Sequence, residues 1–341
     1  MKKPAKKDFL KEPIVHIDIK KLDVETLISS YRRMSFSARD LARAADIYTM
    51  MLSDTRSSVW LTIAGSTSAA GCMQVYVDLV KNNMVDLIVA TGASIVDMDF
   101  FEALGFRHYK GTPHIDDSTL RSLYIDRIYD TFIDEKELQE CDMAIAKIAD
   151  SLEPRPYSSR EFIQEMGRYL RTHAKKKDSL IQSAFEADIP IFCPAFSDSS
   201  AGFGLVYHQW HHPERHLSID SVKDFLELTK IKISSKESGL LMIGGGVPKN
   251  FAQDTVVAAE VLGHEVPVHK YAVQITVADV RDGACSSSTL KEASSWGKVS
   301  TVYEQMVYAE ATMALPILAA HAYQTSRGRE RKPRRFAWLF P

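Results

Sequence analysis

A lone lysine ends the stretch SSWGK, directly after a tryptophan and a glycine and ten residues past a polar ACSSS loop that begins at Ala284. An amine attacks a carbon only in its neutral form, and a partly dry pocket against an aromatic ring disfavours the charged form. Lys298 is therefore a candidate nucleophile, with Trp296 as one wall of its pocket. A lysine on a solvated face is the plain alternative. A second kind of chemistry is suggested by four loops rich in Gly, Ser and Thr, at 65–71, 91–94, 197–204 and 244–246. Small side chains let a ligand approach the backbone, and free amides at helix starts favour phosphate, so the set points to a dinucleotide. No G-x-G-x-x-G follows the first apolar strand, so the arrangement is a variant of the Rossmann fingerprint. His208, His211, His212 and His216 in YHQWHHPERH match no zinc spacing, and no metal site is expected there.

These loops need elements to hold them. VWLTIAG, MVDLIVATGAS, DIPIFCPAF, GLLMIGGG and KYAVQITVADV are each an apolar run closing on small or polar residues, most of them before a helical pattern. That repetition predicts an α/β fold, a Rossmann-like parallel sheet flanked by helices, with ligands gathered at the carboxyl ends of the strands. The expected organisation is an N-terminal arm at 1–30, a single domain at 31–325 and a basic, aromatic C-terminal tail at 326–341. In the tail, Phe336, Trp338 and Phe340 are expected to dock on a neighbouring subunit.

Composition narrows the class. The chain has 341 residues, with 42 Lys and Arg against 44 Asp and Glu, so no global field draws it to nucleic acid or an anionic membrane. Four cysteines with no C-x-x-C pair argue against a disulfide framework and fit a reducing, cytoplasmic setting. The basic N-terminus has no apolar run long enough for a signal peptide, and no stretch approaches a membrane span.

Five segments in order, NMVDLIVATGAS, PAFSDSSAGFG, MIGGGVPKN, SSWGKV and VYAEA, resemble the deoxyhypusine synthase family over residues 35–320. The resemblance implies an NAD-dependent transferase assembled as a homotetramer, with active sites between subunits. In that chemistry a butylamine unit of a polyamine such as spermidine moves to an enzyme lysine as an imine, and an amine acceptor captures it. Carried onto this chain, Lys298 is the imine-forming lysine, Trp296 lines the polyamine path and Glu292 pairs with an amine end. The implied cofactor contacts are Ser66, Ser68, Thr91, Gly92, Asp97, Asp198, Gly244, Gly246, Asp282, Ser286 and Glu310. A turn explains the glycines equally well, and capping of a helix or loop explains Asp198 and Asp282.

Three implied substrate-pocket positions depart from the deoxyhypusine-forming members. Asn250 stands where they have a His, and Phe203 and Cys285 stand where they have Asp. Two lost carboxylates change how a long cation is held. The pattern resembles the bacterial deoxyhypusine synthase-like branch, which implies homospermidine or another small polyamine as product. The alternatives are a true deoxyhypusine synthase, modifying a lysine of translation initiation factor 5A, and a non-catalytic NAD-binding protein; retention of Lys298 argues against the latter.

Overall fold

A computed structural model of the chain describes residues 5–21, 23–326 and 331–340. Residues 1–4, 22, 327–330 and 341, which include parts of the expected arm and tail, lie outside the described residues. Six strands form the central sheet: β1 (Ser57–Ile63), β2 (Leu87–Ala90), β3 (Ile191–Phe192), β4 (Glu237–Ile243), β5 (His269–Thr276) and β6 (Val299–Tyr308). Every pairing in it is parallel, and the order across the sheet is β6-β5-β4-β1-β2-β3. Read from the other edge this is 3-2-1-4-5-6, the order of the dinucleotide-binding Rossmann sheet.

Alternation along the strands builds two cores. Val59, Leu61, Ile63, Leu241 and Ile243 face one layer, while Trp60, Leu240 and Met242 face the other. The first layer holds α1 (Phe36–Ser53) and α2 (Met73–Lys81). Beyond β2, α3 (Glu135–Asp150) packs against α4 (Ser200–His211). The second layer holds α5 (Ser221–Ser234), α6 (Gly246–Val261) and α7 (Leu290–Ser295). Helix α8 (Ala311–Ser326) returns to the first layer after β6. Sequence patterning did not foresee the small sheet at 109–134, whose strands of two to four residues carry too few positions for a periodicity to show.

Two of the three tail aromatics expected on a neighbouring subunit pack within this chain instead. Phe336 is buried in this chain's own second core, and Phe340 stacks with the Arg160 guanidinium. Trp338 is left exposed. Arg331 forms a buried pair with Asp86, whose carboxylate also accepts from the amides of Val59 (2.8 Å) and Arg334 (2.9 Å). Removing one side of such a pair strands a charge away from water. Arg331→Ala is therefore expected to destabilise the fold by about 2–4 kcal/mol, read as a lower urea midpoint at unchanged slope; a change under about 1 kcal/mol would mean that the two amides alone satisfy Asp86.

Candidate functional site

Parallel strands align their carboxyl ends, so the small-residue loops gather along one edge of the sheet. The chain leaves β1 toward β2 on one side and later enters β4 on the other. The switch point lies between Ala64–Ser66 and Gly244–Gly246, outside the ends of β1 and β4, which is where such sheets bind ligands.

The loops are knitted together. Ser68 donates to the Ser94 carbonyl (3.1 Å), and Ser94 donates to the Gly65 carbonyl (2.7 Å). Thr91 joins through the Ser94 hydroxyl at 3.2 Å. Gly92 is forced by close approach, since a Cβ there would stand 2.3 Å from Ser199 Oγ. Gly245 is held likewise, with Ser287 Oγ 2.2 Å from the place of its missing Cβ. Buried Lys249 donates to the Ser288 carbonyl and hydroxyl, tying the start of α6 to the 284–288 loop. Burial pulls its ammonium down to about 8.

A dinucleotide fits this crevice on three observations. A Cβ at Gly65 or Gly246 would meet nothing within 4 Å, so both backbones face open space. Helix α6 starts at Gly246 with no side chain capping its first amides, the arrangement that receives phosphate. Gln274 Oε1 is buried beside Gly244 without a hydrogen-bond partner. Asp97 accepts from the Ser200 amide at 2.7 Å, and burial pushes its carboxyl up to about 6.

Several expected ligands have work within the chain. Glu292 closes a capping box on Thr289 at the start of α7, and the Thr289 amide and hydroxyl hold its carboxyl below the usual range. Glu310 caps α8 through the amides of Thr312 (3.0 Å) and Met313 (3.2 Å). Asp282 accepts from the Ser286 amide at 3.1 Å, yet its Oδ1 is buried and unpartnered. Asp198 and Cys285 are exposed in their loops, and Ser66 is half-buried.

Lys298 lies elsewhere. It immediately precedes β6, at the amino end of that parallel strand, and not on the loop-bearing edge. Its ammonium sits 5.1 Å from the Trp296 ring centroid, and its side chain keeps 16% exposure. Both residues line a cavity of about 530 Å³ between α5 and α6, walled by Phe225, Leu226, Val257 and Val261. Asp254 on α6 places Oδ1 2.5 Å from Lys298 Nζ. Sequence reasoning missed Asp254, although it lies one helical turn beyond Asn250 on the same face of α6.

Asn250, Glu292 and Cys285 do not line this cavity, and neither does Phe203. Phe203 belongs instead to an exposed apolar stripe on α4 with Val206, Tyr207 and Trp210. One chain thus holds the lysine cavity and the dinucleotide crevice as two separate features.

Among the described residues, Asp150, His208 and His212 form a group whose ligand atoms are close enough for a metal. The Leu217 amide donates to His208 Nε2 (3.2 Å), which leaves the proton on Nδ1 to be donated to Asp150 (2.6 Å). A metal on Nδ1 would force a proton onto Nε2 against that amide, so the group is an acid–imidazole pair joining α3 to α4.

A family profile described as deoxyhypusine synthase matches residues 26–322. The chain is 66% identical over 336 residues to a deoxyhypusine synthase-like protein of Coxiella burnetii, covering 98% of this chain and 96% of that one. It is 63% identical to the same-named protein of Caulobacter vibrioides, over 96% and 91% of the two chains. Identity is 38% to the "Probable deoxyhypusine synthase 2" of Methanosarcina mazei, over 98% and 96%. A crystal structure of an Entamoeba histolytica protein assigned to deoxyhypusine synthase superposes with a TM-score of 0.62 at 20% identity, over 94% of this chain and 100% of that one, a likeness of fold.

Proposed function

Because the chain belongs to the deoxyhypusine synthase family, an enzyme family that transfers aminobutyl groups, we propose that it is an NAD-dependent aminobutyl or related alkylamine transferase. It acts on polyamines through an imine on Lys298. The observation that carries this reading is the lysine itself: a partly buried amine beside an indole ring, in a mainly apolar cavity of about 530 Å³. Apolar walls suit the methylenes of a polyamine, and the Trp296 face attracts a passing ammonium.

NAD, when bound, accepts a hydride from the donor amine and returns it to the product. Gly65, Ser66, Gly244 and Gly246 are the residues we assign to its phosphates, with Thr91, Gly92, Asp97 and Asp198 on one side and Asp282, Ser286 and Glu310 on the other. The exposed α4 stripe and the exposed Val222 and Val261 at the rim of the lysine cavity support self-association. We assign a homotetramer in which a second copy brings its crevice to Lys298, joining what one chain holds apart. No helix among the described residues is long and apolar enough to cross a membrane, and all four cysteines are unpaired. Both facts support work in the cytoplasm.

Asn250, Phe203 and Cys285 remove the acid–base and carboxylate functions that the deoxyhypusine-forming members use for their substrates. The favoured acceptor is accordingly a small diamine, giving a homospermidine-type product. Incubation with spermidine, NAD, putrescine and unmodified initiation factor 5A is expected to alkylate putrescine and leave the factor's mass unchanged. Efficient labelling of the factor would restore a true deoxyhypusine synthase. Titration with NAD is expected to raise the melting temperature by mass action; no shift at millimolar-scale NAD would remove the cofactor assignment.

A further inference from the structure

We propose that Asp254 is a catalytic residue, the proton carrier and counter-ion for imine formation on Lys298; this rests on the imine chemistry proposed above. Asp254 and Lys298 are the two charged residues lining the cavity, and Asp254 is its one carboxylate. Its Oδ1 touches the reacting nitrogen at 2.5 Å. As a stabilising pair it would contribute little, because Asp254 is 38% exposed on a helix surface. Imine transfer, in contrast, needs two proton movements at that nitrogen.

The steps balance as follows. Asp254 accepts a proton from the Lys298 ammonium, and the freed Nζ lone pair bonds to the C=N carbon of a donor whose hydride has gone to NAD. The π electrons move to the donor nitrogen. Asp254 passes that proton to the donor nitrogen and then accepts the second Nζ proton, so that the Nζ lone pair expels the amine as the carbon–nitrogen bond breaks. The departing amine takes this second proton from Asp254 and leaves as an ammonium. Lys298 is left as an iminium facing an ionised carboxylate, so the positive charge at Nζ is matched before and after the step. Attack by the acceptor amine runs the sequence in reverse, with Asp254 carrying two protons, one at a time, from the acceptor nitrogen back to Nζ.

A short aldehyde tests the pair without donor or NAD, because there too two protons leave the ammonium and end in the departing water. The wild-type protein with butanal and cyanoborohydride should be alkylated at Lys298 ahead of its other lysines, as read by peptide mass spectrometry. General acid–base help is typically worth 10²–10⁴-fold, so Asp254→Asn should slow that labelling by about 100-fold. Asp254→Glu should recover part of it, and both variants should melt close to wild type. Labelling of Asp254→Asn at the wild-type rate or faster overturns the proposal, since the carboxylate would then only hold the lysine charged. Wild-type labelling spread evenly over the lysines removes the nucleophile itself, and with it the reading of the preceding section.

Discussion

Lys298→Ala and Lys298→Arg are expected to lose transfer to the acceptor by at least about a thousand-fold while keeping the fold and NAD binding. Alanine removes the nitrogen proposed to carry the migrating group. Arginine keeps a cation beside Asp254, but its guanidinium stays protonated at any working pH and offers no lone pair. Stability should change by less than about 1 kcal/mol, because the loss leaves Asp254 open to water. Lys298 is not among the residues assigned to NAD, so the NAD-induced rise in melting temperature should persist in both variants. Oxidation of the donor precedes imine formation, and some NADH can still appear. Transfer by Lys298→Ala at the wild-type rate would return this lysine to the solvated surface.

The second large effect lies behind the nucleophile. Lys232 is fully buried and donates to Ser238 (2.7 Å), which bonds His269 Nδ1 (2.9 Å); His269 Nε2 reaches the Ala252 carbonyl (3.1 Å). The His269 amide in turn holds the Lys298 carbonyl at 2.9 Å. Burial pulls Lys232 down to about 7, with Glu237 opposing the change, and holds His269 well below its ordinary value. The folded chain therefore releases the Lys232 proton near pH 7, whereas the unfolded chain keeps it until about pH 10.4. Between those limits the unfolded state binds more protons, so stability rises with pH, and below pH 7 the full cost of burying the charge is present. Relative to Lys232→Met, the wild-type protein is expected to gain roughly 4 kcal/mol between pH 7 and 10. Urea titrations of both proteins across that window check it; a flat difference would show that Lys232 stays charged inside the fold.

Much of the architecture was legible because the strands advertise themselves. Apolar runs such as LLMI and LIVA end in GGG or TGAS, the pattern of a buried parallel strand closing on small residues. The strand order was not legible there; it is set by the chain's two-sided winding about β1. What failed was anything decided by contacts remote in sequence. Asp254 meets Lys298 because α6 packs beside the loop before β6, a pairing that nothing within KNFAQDTVV announces.

Other structural roles had a local signal. TLKE carries the spacing of a capping box, and the structure uses Glu292 in that way. Lys232 follows Leu228 by four residues and Ile231 by one, on the inward face of α5, where helical phase outweighs its charge. Phe336 looked like a surface aromatic because it follows a basic run. Its arginine neighbours instead anchor the tail to Asp86 and lay the ring into the second core.

The central claim is that the migrating group rides on Lys298, and one measurement addresses it directly. The protein is incubated with spermidine and NAD in the absence of acceptor, reduced with borohydride, digested and mapped by mass spectrometry. The account predicts one aminobutyl adduct, on the peptide carrying Lys298 and nowhere else, and none when NAD is omitted. An adduct on another lysine, or no adduct from a protein that demonstrably binds NAD, would contradict it.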